Sequence, residues 1–109
     1  MPDSEKQSTL KKTYGDFVPK LVELTDDVLF GDVWERTALS PRDRSLITVA
    51  ALIAGGNSEQ LPFHLGKAKE NGLTETELKE VITHLAFYAG WPKAMSALTV
   101  AKQLFEGSF

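Results

Sequence analysis

Two imidazoles, His64 and His84, are the first residues in this chain to examine for chemistry, because it contains no cysteine. Imidazole is the side chain whose ordinary pKa lies nearest neutrality, so a positioned histidine serves as general acid or base. His64 falls three residues after Leu61 and four before Ala68, on one apolar helical stripe. There it is either a core histidine satisfied by a backbone carbonyl or a proton donor. His84 and Tyr88, four apart, share a helical face, either as a structural pair holding that helix against Trp91 or as part of a polar pocket. Arg44 directly precedes the apolar residues 45–54, and a guanidinium aimed at a cavity there matches a carboxylate in a bidentate fork. Arg42, in the same turn, reads as ordinary surface if exposed. Glu59, five before His64, is either a solvated carboxylate or a group that reaches a neighbouring chain or orients an imidazole. Trp34 reads as an anchor.

Other chemistries find fewer residues. Without cysteine there is no disulfide, thiolate metal site, thiol nucleophile or redox dithiol. Two histidines on separate helices, with no His-x-x-x-His pair, make a poor zinc site, so no metal and no cofactor is expected. The net charge is −3 with Lys and Arg scattered among Asp and Glu, which argues against a nucleic-acid footprint. No apolar run approaches the ~20 residues that cross a bilayer, and residues 1–12 lack a signal-peptide core. The expectation is a cytoplasmic protein without membrane or nucleic-acid partners.

These side chains must be carried by helices. Residues 1–13 read as a flexible lead-in to a single domain over residues 14–109. Asp16 is placed to cap a helix that tolerates Pro19 in its first turn and carries Phe17, Leu21, Leu24 and Val28. Residues 30–34 break it. Ser40-Pro41 is a helix start, with Ser as N-cap, Pro at the first position and Asp43 near the positive end. Residues 45–54 are apolar or small on nearly every side, which predicts a central helix buried all round and stopped by Gly55-Gly56. A third helix is expected from Asn57 or Ser58, its regular start delayed by Pro62, with Leu61, Leu65 and Ala68 inward and Asn71-Gly72 as its stop.

Thr74-Glu75-Thr76-Glu77 reads as a capping box. The helix it opens has Leu78, Val81, Ile82, Leu85 and Ala89 as apolar positions and ends at Gly90. Pro92 opens a last helix carrying Met95, Leu98 and Leu104. No segment alternates with the period of a strand, so the fold class is all-α. Several helices are apolar over more than one face, more than a domain this small covers alone, which points to an obligate homo-oligomer.

The strings Gly31-Asp32-Val33-Trp34, Leu39 through Ala50, Glu59-Gln60-Leu61-Pro62-Phe63-His64, Asn71-Gly72-Leu73-Thr74, Glu77 through Ile82, and Tyr88-Ala89-Gly90-Trp91-Pro92 resemble the gamma-carboxymuconolactone decarboxylase family. The likeness runs over residues 14–106, and several ordered motifs at consistent spacing carry it. It implies the compact multi-helix fold of the alkylhydroperoxidase D-like superfamily and a trimeric or hexameric assembly. The thiol branch of that superfamily uses a Cys-x-x-Cys pair and a glutamate. The corresponding positions here read Asn57, Gln60 and Ser45, and only His64 survives from that constellation. A peroxidase function inherited from the superfamily is therefore excluded for want of a thiolate.

The decarboxylase chemistry implied by the resemblance needs nothing this chain lacks. A gamma-carboxylated butenolide loses CO2 into its own lactone ring, with no metal or organic cofactor. The protein grips carboxylates, stabilises charge developing on the lactone oxygen and returns a proton to carbon. Arg44 suits the first task and His64 the last. His84 and Glu59 stand beside them as binding residues, while Trp34, Tyr88 and Trp91 are expected to wall the pocket. Two readings result: a cofactor-free carboxy-lyase for a small carboxylated lactone or related acid of aromatic catabolism, or a non-catalytic helical oligomer that binds a small ligand or a partner enzyme.

Overall fold

The computed structural model describes residues 10–107, which are helical with turns and without strands. The lead-in expected over residues 1–13 lies mostly outside them. The chain divides into two compact units, one ending at Leu39 and one beginning at Ser40.

In the first unit, residues 10–14 are helical. A short helix α1 (Pro19–Glu23) then passes without a break into a π-helical stretch, Leu24–Phe30. The cap is Val18, not Asp16, because Pro19 at the first position pre-sets the helical φ and the chain needs no side-chain acceptor there to begin. Gly31 ends the π-stretch where a Cβ would come within 2.8 Å of the Asp27 carbonyl oxygen, so only glycine fits without backbone movement. A 3₁₀ turn, Val33–Glu35, carries Trp34, whose ring stacks on Phe30 at 6.4 Å between centroids.

The second unit holds four helices: α2 (Pro41–Gly55), α3 (Leu61–Glu70), α4 (Glu75–Tyr88) and α5 (Trp91–Glu106). Helices α2 and α3 pair as one hairpin and α4 and α5 as another, with α2 packed on both members of the second pair. Each boundary has a local cause. The Ser40 hydroxyl accepts from the Asp43 amide to start α2, and Gly56, at φ 71°, stops it. Both halves of the Thr74/Glu77 capping box are formed at the start of α4. Helix α3 begins at Leu61, later than Asn57 or Ser58, as Pro62 in its first turn allows.

The core is a layer of Val49 and Ile53 from α2, Leu61, Leu65 and Ala68 from α3, Leu78, Ile82 and Ala86 from α4, and Ala94, Ala97 and Ala101 from α5, plugged by Leu73. One helix differs from the sequence expectation. Helix α2 buries one stripe, Ser45, Val49 and Ile53, while Ile47 stays exposed; it is not buried all round within one chain. Helix α5 turns alanines inward and leaves Met95 and Leu98 outside. Small residues permit close helix approach, and the larger side chains are then excluded from the contact face.

Candidate functional site

The start of α2 carries Arg42, Arg44 and Ser45, and two long-range side-chain hydrogen bonds of the second unit end there. Arg42 donates from Nη2 to Glu77 Oε2 at 2.7 Å, tying the start of α2 to the start of α4. The amide it accepts from Thr74, and then the Arg42 guanidinium, hold the Glu77 carboxyl below the usual glutamate range. The same hydrogen bond with Glu77 raises Arg42. Ser45 is buried, and its Oγ accepts from Asn71 Nδ2 at 2.9 Å. Arg44 is half-buried with its Nε atom out of solvent, and its carbonyl accepts from Thr48 Oγ1 at 2.7 Å.

His64 sits in the second turn of α3, one position along from Phe63, whose ring meets it edge-on at 4.9 Å. The residue is half-buried and its Nδ1 atom is out of solvent. Leu61, Leu65 and Ala68 beside it are fully buried, so the imidazole lies at the edge of the core stripe. Glu59, in the turn before α3, is exposed.

His84 occupies a different place. It lines a cleft of about 370 Å³ between α2 and α4, floored by Leu46, Ala50, Val81 and Leu85 and edged by Glu77 and Glu80. Its ring stacks on Tyr88 at 4.9 Å and 24°. A cleft of that volume is at the lower end of what small-molecule sites occupy. Trp91 and Phe87, in contact edge-to-face at 5.4 Å, line a separate groove of about 270 Å³ between α4 and α5, with Met95 and Leu98.

The sequence-predicted residues thus fall into groups. Arg44 lies on the first turn of α2, His64 on α3, His84 with Tyr88 at the α2–α4 cleft, Trp91 at the α4–α5 groove, and Trp34 in the first unit. His64 and Arg44 are not among the residues lining either cavity. The cleft itself escaped the sequence reading, although the four-residue spacings of Leu46 with Ala50 and of Val81 with Leu85 were available to find it. The Asn71–Ser45 contact joins residues 26 apart and leaves no local signal. Among the described residues no group of three or more His, Asp or Glu is placed to hold a metal ion, and no helix is long and apolar enough to cross a membrane.

Comparison with known proteins bears on this geometry. The family model for the carboxymuconolactone decarboxylase family matches residues 19–103. A 4-carboxymuconolactone decarboxylase of Acinetobacter baylyi is 42% identical over 77 residues, covering 71% of this chain and 58% of the relative. A nitrosuccinic acid decarboxylase of Metarhizium robertsii is 35% identical over 81 residues, covering 74% of this chain and 57% of the relative. An uncharacterised protein of Paracoccus denitrificans is 28% identical over 81 residues. The chain therefore spans somewhat under two thirds of the length of the curated relatives it matches.

Proposed function

Because this chain belongs to the carboxymuconolactone decarboxylase family, we propose that it is a cofactor-free carboxy-lyase acting on a small carboxylated lactone or related acid. The observation that carries the reading is the similarity to two relatives that are both named as decarboxylases. Their named acids share a chemical feature. A lactone ring or a nitro group accepts the electron pair that the departing CO2 leaves behind. The substrate class for this chain is accordingly a small polycarboxylic acid that carries its own electron sink, and aromatic catabolism is the pathway class that supplies such lactones.

The residues divide the work as follows. The Arg44 guanidinium holds a carboxylate of the substrate in a two-point fork and keeps the scissile carboxylate in register. The carbon–carboxylate bond breaks with its electron pair entering the lactone as an enolate. His64, protonated, gives its proton to carbon and ends the cycle neutral, to be reprotonated from solvent. A half-buried imidazole at the edge of an apolar stripe suits this role, since a drier setting strengthens its interaction with developing negative charge. His84 and Tyr88 contribute to binding from the cleft, with Glu59 and Trp91 peripheral to the reacting atoms.

The exposed apolar residues of α2, α4 and α5 support a homo-oligomer, trimeric or hexameric, as the working form. The test is a decarboxylation assay of the purified chain with gamma-carboxymuconolactone, following loss of the substrate and release of CO2. Turnover proportional to protein is expected, together with no turnover of hydroperoxides by thiol reductants. Absence of CO2 release from this lactone and from nitrosuccinate leaves the alternative, a helical ligand-binding oligomer, as the better account.

A further inference from the structure

The four-residue connection from α3 to α4 and the first turn of α4 each reach back to the start of α2 at one point. Asn71, at the end of α3, donates its side-chain amide to the buried Ser45 hydroxyl at 2.9 Å. Glu77, three residues into the box that Thr74 opens, accepts from Arg42 at 2.7 Å. Arg44 lies between these two attachment points, and its own carbonyl is held by Thr48. Asn71 is itself fixed: its amide closes on the Lys67 carbonyl, and Gly72, at φ 106°, turns the chain so that Leu73 enters the core.

An apolar pair would fill the space of Ser45 and Asn71 at little cost in stability, because removing both partners of a buried hydrogen bond is nearly neutral. What an apolar pair lacks is direction. Successive residues of a helix point about 100° apart, so a small rotation of α2 swings Arg44 off its line. A hydrogen bond from a fixed amide to one hydroxyl on that turn resists the rotation. We propose that Asn71 is a positioning residue: through Ser45 it sets the rotation of the α2 turn that presents the Arg44 guanidinium. Its bearing on catalysis rests on the reading that Arg44 grips a substrate carboxylate; the positioning itself does not.

The experiment uses the full chain and four variants: Asn71→Leu, Ser45→Ala, the double variant of these, and Arg44→Lys. The signal is the Arg44 Nε–H resonance in ¹H–¹⁵N spectra, identified by its loss in Arg44→Lys. With Nε buried, its proton should exchange slowly in the parent chain. In Asn71→Leu and in the double variant, exchange at Arg44 should accelerate roughly tenfold or more, as local opening becomes easier. Asn71→Leu alone strands a buried hydroxyl and should melt lower; the double variant should regain most of that loss while Arg44 stays loosened. A merely structural contact would restore both together, and an unchanged Arg44 signal in the double variant overturns the proposal. With gamma-carboxymuconolactone as probe, the double variant should raise KM roughly five- to tenfold with kcat little changed. If exchange at Arg44 accelerates but Arg44→Lys leaves KM unaltered, the positioning stands and the role of Arg44 in binding falls.

Discussion

An imidazole half-buried beside an apolar stripe and one stacked in a cleft on a tyrosine are open to different tests. If His64 returns the proton to carbon, His64→Gln should remain folded and lose turnover by roughly a hundredfold or more, the ordinary scale of general acid–base catalysis. His84→Gln should be milder, because its ring is exposed, lines the cleft and stacks on Tyr88, and in the proposed division of work it binds and does not supply the proton. Rates on gamma-carboxymuconolactone, paired with thermal melts, separate the two. Near-full activity in His64→Gln with a lowered melting temperature would make that histidine structural. Residue types and spacing alone placed His64 beside Leu61 and Ala68 and His84 beside Tyr88, since both relations follow from the helical repeat. That His84 faces the cleft between α2 and α4 was not legible, because the opposite wall is supplied by another helix.

Helix starts were the most readable features at the level of elements. The Ser40-Pro41 cap and the Thr74/Glu77 box are short-range devices whose partners lie three residues apart. Glu77 has a second partner, Arg42, 35 residues away, and that attachment no local pattern reveals. The Thr74 amide first, and then Arg42, give Glu77 a pH signature. The folded-state pKa of Glu77 is depressed from its ordinary 4.5, so the stability from its ionised form is present above that value and lost as pH falls through the folded pKa. Both side chains of the pair are about two-fifths exposed, so solvent screening keeps the contribution small. Glu77→Gln should therefore melt slightly below the parent near pH 6, and the gap should narrow as pH falls below the ordinary 4.5 and through the depressed folded pKa. A gap of equal size at both pH values would assign the loss to the cap geometry and not to the charge. Helix α5 is where pattern reading left the inner face open: Met95 and Leu98 are the more hydrophobic residues, yet close packing selects Ala94, Ala97 and Ala101. Periodicity alone does not choose between two faces that are both apolar.

That second apolar face is a property of the whole molecule. Phe87 is 75% exposed and Tyr88 78%, with Trp91, Met95 and Leu98 on the adjoining helix and Ile47 on α2 also open. Scattered exposed apolar residues are ordinary on a protein surface, but Phe87, Trp91, Met95 and Leu98 line one groove and form a continuous patch. Covering such a patch with another copy of the same chain removes it from water without needing any further partner; a head-to-tail contact that closes round a three-fold axis gives a trimer, and a two-fold contact between two trimers gives a hexamer. Sedimentation of the purified chain at micromolar concentration should show a trimer or hexamer with little monomer. Charge placed at the centre of the patch should oppose association, because a carboxylate buried against an apolar surface is uncompensated. Met95→Glu, whose site is already half exposed within one chain, should keep its helical content while shifting the population toward monomer. A parent chain that sediments as a stable monomer would remove the assembly from the functional account, and an oligomer indifferent to Met95→Glu would move its interface to another face.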